Sequence, residues 1–448
     1  MPVPRCKNKA DRRYEGSGNV LTRRALLASA AAVAAAGCGP FRSSSDLPSG
    51  PEAVALTWYT FSFSGLFVPN GSFEQPEERL PKMVAALEED VENPNGPARG
   101  NYSLSPRLIG FDDYPEPPPR NDDEFAEWID SIDTDLLSIS PSMAESLGKR
   151  GVILPLERFI AADESDLVET FYPYVLDQFR TEGGLFALPI DADPLMLNYN
   201  VAYFAAQGMP PPDESWDWGD LVENAVKLTK QDEDGNVTRW GLMPHFHGFW
   251  WAFWQNRAEV VDPVTGQCRL QEPAATEAMQ FCYDLLHTHR VAPPVAGREV
   301  WDLYSLPPDV FPAMFFSQVT REHRYEYRLA ELPRGKVRSV PVSADMGLAI
   351  HARSGQTEVA YTALKGLLQT MQRFVAVPAQ IEAVARLGEI RPSFLPEEVA
   401  AIQRSMEHGR ALTWGGGAGH AMQHIVDGLA HGDEVATVAN DACSALEE

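Results

Sequence analysis

The sequence predicts an α/β fold built on a mainly parallel sheet, and three observations carry that prediction. From Val54 onwards, short runs rich in β-branched and aromatic residues alternate with stretches whose apolar residues recur at helical spacing. The chain has 448 residues, enough for two or three ordinary domains with a large core. Its 44% hydrophobic and 22% charged residues make a globular mixture and not a disordered one.

Taken in order, Val54-Ala55-Leu56-Thr57-Trp58-Tyr59 is a strand. Glu77 to Glu89 has helical spacing, with Pro81 expected in its first turn. Tyr102 to Phe111 is a second strand and Phe125 to Ile132 a second helix. Asp135-Leu136-Leu137-Ser138-Ile139 is a buried strand, and the helix through Glu145 to Lys149 stops at Gly151. That alternation implies helices layered on a parallel sheet. The acidic, proline-rich segment 111–123 (FDDYPEPPPRNDD) is a loop, either a solvated excursion or a functional one. Farther on, Trp218 to Leu228 is a helix with Asp217 as N-cap, after the turn at Pro210-Pro211-Pro212. Residues 231–236 form a polar turn, Pro273 to Thr288 and Thr357 to Thr370 are helices, and the chain from Pro392 is mostly helical. No repeat or heptad pattern is visible.

The formal charge is −26. A nucleic-acid binder needs a positive footprint against phosphates, so that partner class is excluded. None of the five cysteines (Cys6, Cys38, Cys268, Cys282 and Cys443) is in a C-x-x-C pair, which argues against a thiolate metal centre. Cys268 and Cys282 could be bridged, but sequence separation alone does not decide their pairing.

The N-terminus carries Arg5, Lys7, Lys9, Arg12 and Arg13, then Thr22-Arg23-Arg24, then an apolar run from Ala25 to Gly37. A helix over 13 residues rises only about 20 Å, too short to span a bilayer. A basic region, a short apolar core and small residues before a cut describe a signal peptide, here over residues 1–37. The arginine pair resembles the twin-arginine export signal. Ala35-Ala36-Gly37-Cys38 resembles the bacterial lipobox, in which the cysteine is acylated and becomes the new N-terminus. The alternative is an ordinary signal cut that leaves Cys38 an incidental thiol. Lipidation at Cys38 implies an anchor to the cell membrane, with residues 38–53 as a flexible tether. Removing residues 1–37 leaves 30 Lys/Arg against 61 Asp/Glu, a still more acidic chain.

The region 135–244 is more specific. Asp135 to Ser140, Gly151-Val152-Ile153-Leu154-Pro155-Leu156, Gly183 to Pro189, Leu197-Asn198-Tyr199-Asn200, Trp216 to Leu221, Ala225 to Thr229 and Trp240-Gly241 follow one another in an order that resembles the extracellular solute-binding proteins of bacterial ABC sugar importers. Asp262 to Gly266, Phe311-Pro312-Ala313-Met314, Leu332 to Gly335 and Gly347 to Ile350 extend the resemblance across roughly residues 54–430. Two departures stand out: Arg257-Ala258, where a glycine pair is common in the family, and the basic stretch Arg321 to Arg328.

The resemblance implies a two-lobed fold of the periplasmic-binding-protein type II class, with discontinuous lobes and a ligand cleft between them. On this sequence it puts residues 54–190 with 320–353 in the first lobe, and 191–319 with 354–448 in the second. Crossovers are expected at Ile190 to Pro194, Ser317 to Thr320 and His351 to Ser354. It also implies a monomer that takes a small solute, docks on an ABC permease, uses no cofactor, performs no catalysis and works outside the cytoplasm.

A sugar presents apolar C–H faces and a rim of hydroxyls, so its site needs aromatic rings beside carboxylates or amides. Expected ligand contacts are the aromatics Trp58, Tyr59, Phe61, Trp250, Trp251 and Trp414, and the polar residues Ser140, Ser142, Asp191, Asp193, Ser317, Gln318 and Asp345. Among these, Asp193 matches the family's ligand carboxylate beyond the first crossover. Core packing is the competing role for the tryptophans and turn capping for the aspartates. Trp250 and Trp251 cannot both face one core, so one of them should face the cleft. Two rival classes remain: a surface scaffold or sensor that keeps the fold without transport, and an exported carbohydrate-active enzyme in which Asp191 and Asp193 could form an acid–base pair. Yet no H-E-x-x-H, G-x-S-x-G or P-loop pattern appears. His245 and His247 lack the partners that a metal site needs, so no metal is expected.

Overall fold

The computed structural model describes residues 53–61, 76–92, 100–109, 113, 115–163, 165–244, 248–303, 306–307, 309–319, 327–412 and 416–446. The signal peptide, Cys38, most of the tether, Trp414 and the His245/His247 pair lie outside these residues.

The chain begins with β1 (Val54–Phe61), α1 (Pro76–Glu92), β2 (Tyr102–Ile109), α2 (Asp122–Asp130), β3 (Leu136–Ile139) and α3 (Pro141–Lys149). There follow β4 (Leu188–Pro189), β5 (Asp193–Pro194), β6 (Met196–Asn200), α4 (Trp218–Leu228), β7 (Leu242–Met243), α5 (Trp250–Gln255) and α6 (Pro273–Tyr283). Next come β8 (Met314–Ser317), β9 (Tyr327–Ala330), β10 (Val340–Ser343), β11 (Gly347–Ile350), α7 (Thr357–Met371) and α8 (Pro396–Glu407). Finally β12 (Gly409–Ala411), α9 (Gly416–His431) and α10 (Val435–Ser444) close the fold. Helix α1 starts earlier than its periodicity suggested, so Pro81 lies inside it and not in its first turn. The expected single helix from Pro273 ends at Tyr283 and passes into one π-helical turn, Asp284–Thr288.

Two sheets organise two apolar cores. The first sheet runs β2-β1-β3-β11-β4, with β1 parallel to both neighbours and β11 antiparallel to β3 and β4. Leu56 and Trp58 of β1 and Leu136, Leu137 and Ile139 of β3 are buried beneath its helices. The second sheet runs β7-β8-β6-β9 and packs against Trp251, Leu221, Met279 and Leu286. Helix α4 begins on Asp217, whose side chain accepts from the amides of Gly219 and Asp220 while Asp220 reaches back, a reciprocal cap. Gly241 explains its own motif: a Cβ there would lie 2.0 Å from the carbonyl oxygen of Ala225, so only glycine lets β7 pass the end of α4.

The chain passes between the cores along a third, three-stranded sheet, β12-β10-β5. Ala192 packs in the first core, Leu195 in the second and Met196 again in the first, so this stretch runs along the junction of the two cores. After β8, Val319 packs in the first core, and Thr320 lies outside the described residues. Val340–Ser343 and Gly409–Ala411 carry the chain across, whereas His351 to Ser354 turns back into the first lobe at α7. The lobe boundaries change accordingly. Helices α7 and α8 pack into the first core, and β9 joins the second sheet by pairing with β6. The expectation erred because a helix's apolar face says that it is buried but not against which sheet.

Helix α8 ties the cores behind this junction. Its Glu398 accepts the Leu329 amide of β9 as well as the Leu395 amide at its own start, and its Arg404 shares Glu331 with Arg338. A disulfide joins Cys268 to Cys443 across 175 residues, holding α10 to the second lobe, and Cys282 is a buried free thiol. Among the described residues no helix is long and apolar enough to cross a membrane.

Candidate functional site

Strand ends place the polar part of the site. Ile139 of β3, Gly347 of β11 and Pro189 of β4 lie side by side in register. Ser140, which follows β3, Asp345, which precedes β11, and Asp191, which follows β4, therefore gather at one edge of the first sheet. Strand β1 ends at the same edge with Phe61, whose side chain is outside the description. The carboxyl ends of parallel strands are the usual ligand side of an α/β sheet.

Three carboxylates meet there. Oxygens of Asp191, Asp193 and Asp345 come within 4.8 Å of one another. Asp191 is buried, and one of its oxygens accepts the amides of Asp345 at 2.9 Å and Met346 at 3.1 Å. Asp193 is buried in β5, opposite Ser343 of β10. Gln318 donates to the Asp345 carboxylate at 3.3 Å and also touches the Ser343 hydroxyl. Burial, and secondarily the charge of Asp345, holds the Asp191 carboxyl well above the usual carboxylate range. Burial likewise raises Asp345, against the opposing bond from Gln318.

The apolar part is a pocket of about 110 Å³ in the second lobe, lined by Trp250, Trp254, Glu259, Ala411, Leu412 and Ala418 among others. The rings of Trp250 and Trp254 are 5.4 Å apart at 41°, one helical turn apart on α5. Arg410 lies 4.3 Å from the Trp254 centroid and pairs through both terminal nitrogens with Glu259, at 2.9 and 3.1 Å. The Trp254 indole N–H is buried and bonded to no acceptor among the described residues. Ala411 at the pocket and Pro194 beside Asp193 flank the same residue, Val342. Two strand spacings, about 10 Å, therefore separate the Ala411 backbone at the pocket from Pro194 beside Asp193.

A family model described as "Bacterial extracellular solute-binding protein" matches residues 125–284, which run from α2 through the first crossover to the end of α6. In that segment and in its fold, the chain is similar to bacterial extracellular solute-binding proteins. Solved structures of the same two-lobed class superpose over most of its length. An ABC substrate-binding protein of Listeria monocytogenes in complex with cycloalternan is 16% identical, with a TM-score of 0.64 over 88% of this chain and 98% of that one. The sugar-binding protein MalE of Xanthomonas citri is 14% identical, with a TM-score of 0.66 over 88% and 96%. UgpB of Mycobacterium tuberculosis, in complex with glycerophosphocholine, is 15% identical, with a TM-score of 0.63 over 89% and 98%.

Within this fold, the expected contacts divide. Asp191, Asp193, Gln318 and Asp345 converge, and Trp250 lines the pocket. Ser140 stands at the same edge, but its hydroxyl caps α3 through the Met143 amide and contacts Ser142 at 3.0 Å. Ser317 is buried between Asn198 and the Gln318 carbonyl, a packing role. Two tryptophans do not serve as expected. Trp58 is 1% exposed, with its indole N–H bonded to Ser138. Trp251 is fully buried, edge-on to Phe316 at 5.0 Å, and its N–H is taken by the Pro244 carbonyl. Both are core residues because strand alternation and helix spacing turn them inward. Tyr59 takes the opposite face from Trp58 and is engaged by Arg107 of β2. Sequence reasoning missed Glu259 and Arg410. They lie 151 residues apart and carry no local motif, so only the fold unites them.

Proposed function

We propose that this protein captures a sugar or a similar polyhydroxylated solute between its lobes and delivers it to an ABC importer. The observation that carries this reading is the pairing of an aromatic pocket with buried carboxylates on either side of the crossover sheet. Rings suit the C–H faces of a sugar, while carboxylates and the unbonded Trp254 N–H suit its hydroxyls. Cycloalternan, the bound ligand named for one superposable structure, is a sugar, and glycerophosphocholine, named for another, carries a glycerol diol. Lobe closure would complete the site and create the form that the permease engages. Acylated Cys38, following twin-arginine export, would tether a monomer at the outer face of the cell membrane, and the disulfide suits that oxidising location.

Titration calorimetry against mono- and oligosaccharides tests the proposal: saturable heat without turnover supports it, and silence across the panel overturns it. Asp193→Ala is expected to weaken binding while leaving the fold intact. The second reading, an exported carbohydrate-active enzyme using Asp191 or Asp193, predicts product in the same samples. Against it, Asp191 already spends an oxygen on two backbone amides, which suits a structural anchor better than an acid exposed to substrate.

A further inference from the structure

A small cavity of about 10 Å³ lies where the two cores meet, and it shares no lining residue with the aromatic pocket. Val340 of the first core and Leu332 of the second both border it. On its polar side stand Gln255 of α5, Glu331 beyond β9, Ser339 before β10 and Ser405 in the last turn of α8. Backbone bonds fix both serines. The Ser339 carbonyl accepts from the Gln255 carboxamide at 3.3 Å, and the Ser405 carbonyl accepts from the His408 amide at 3.2 Å. Their hydroxyls are left over. Ser339 is 6% exposed and Ser405 1%, and the Oγ of each is buried with no bonding partner among the described residues. The charges beside them are already matched, since Glu331 takes Arg338 with one oxygen and Arg404 with the other.

A buried hydroxyl that bonds to nothing is costly, so native proteins rarely leave one unsatisfied. Two such hydroxyls on one polar cavity, with about the least volume that admits a water, describe a water site. We propose that Ser339 and Ser405 hold one water molecule in this cavity, and that it bonds the end of α8 to the start of the β10 crossover. Each hydroxyl gives or takes one bond, and the oxygens of Glu331 and Gln255 on the same wall are further acceptors for the water's hydrogens. Strand β10 passes between the cores and α8 packs in the first, so this water is a structural part of the joint and not loosely held solvent.

Crystals of the mature protein test this without any substitution. Density for one water within about 3.2 Å of both Oγ atoms supports the site, and its absence overturns it. Urea unfolding of the unsubstituted protein, Ser339→Ala, Ser405→Ala and the double variant closes a cycle that reads the same bridge. A shared water couples the two positions. Ser405→Ala should therefore lower the folding constant at least about twofold more in the unsubstituted background than in the Ser339→Ala background. Alanine's better helix propensity at position 405 cancels in that comparison. Independent effects of the two substitutions would overturn the proposal. So would a folding constant that differs between sodium and choline chloride at equal ionic strength in the unsubstituted protein but not in the double variant, because an ion would then bridge the serines. None of these readouts needs a solute, so they stand apart from the solute-capture test.

Discussion

Arg410 clamps Glu259 with both terminal nitrogens while its guanidinium plane rests over Trp254, 4.3 Å from the ring centre. The two residues meet across the second lobe and hold one wall of the aromatic pocket in place. Both side chains are partly exposed, so the pair itself adds at most about 1 kcal/mol to stability. Its value lies in orienting the ring. Lysine keeps the charge but loses the planar, two-pronged geometry. Arg410→Lys should therefore leave the melting temperature within about 3 °C and weaken solute binding several-fold in calorimetry. Unchanged affinity would remove the clamp from the site.

Neighbouring tryptophans on α5 should answer differently. Trp251 fills the second core, and its truncation to alanine should cost about 3–5 kcal/mol by urea denaturation. Trp250 lines the pocket and retains a little exposure, 8%, so Trp250→Ala should cost less stability and at least about tenfold in affinity. If both variants lose the same stability and bind equally well, the pocket is mere packing.

How far the sequence foretold these roles depends on the range of the signal. Local periodicity located β1, β3, α4 and α7, and the reciprocal cap at Asp217 needed only four consecutive residues. The Asp191–Asp193 spacing past a strand end was also local, and the fold brings both residues together with Asp345. Helix α5 was harder. Six apolar or amide residues in a row leave no polar face to orient it, so Trp250 and Trp251 were interchangeable until Phe316 and Trp218 fixed which one turns inward. Lobe membership of α7 and α8 was likewise not legible, because it is set by which sheet receives them. The Cys268–Cys443 pairing belongs to the same class, being a contact across 175 residues.

That disulfide ties α10, near the end of the chain, to the turn before α6. Cross-linking distant residues restricts the unfolded chain, and removing such a bond typically costs about 2–4 kcal/mol. Cys443→Ser, or reduction before a thermal scan, should lower the melting temperature without abolishing solute binding, since the bond lies apart from the pocket lining. Cys282 is buried and its burial raises its thiol pKa, so it should stay inert to thiol reagents until the protein unfolds. A fast-reacting thiol in the native oxidised protein would contradict the assigned pairing.

Arg257 poses the opposite problem, a residue that the backbone tolerates poorly. Helix α5 ends with the Ala258 amide bonded to the Phe253 carbonyl at 2.8 Å and the Arg257 amide to that of Trp254 at 3.1 Å. This is the two-bond helix stop that demands a left-handed residue, and Arg257 supplies it at φ 62°. A side chain there costs about 1–2 kcal/mol, of which glycine's greater freedom in the unfolded chain takes back a part. The arginine is exposed, so little packing is lost on removing it. Arg257→Gly should accordingly raise stability by about 0.5–1 kcal/mol, seen as a higher urea midpoint at unchanged slope. The same change should leave the Trp250–Trp254 wall in place, because the helix stop it relieves is already formed. A lower midpoint would mean that Arg257 makes a compensating contact, and that the glycine pair common in the family was exchanged here for binding and not by tolerance.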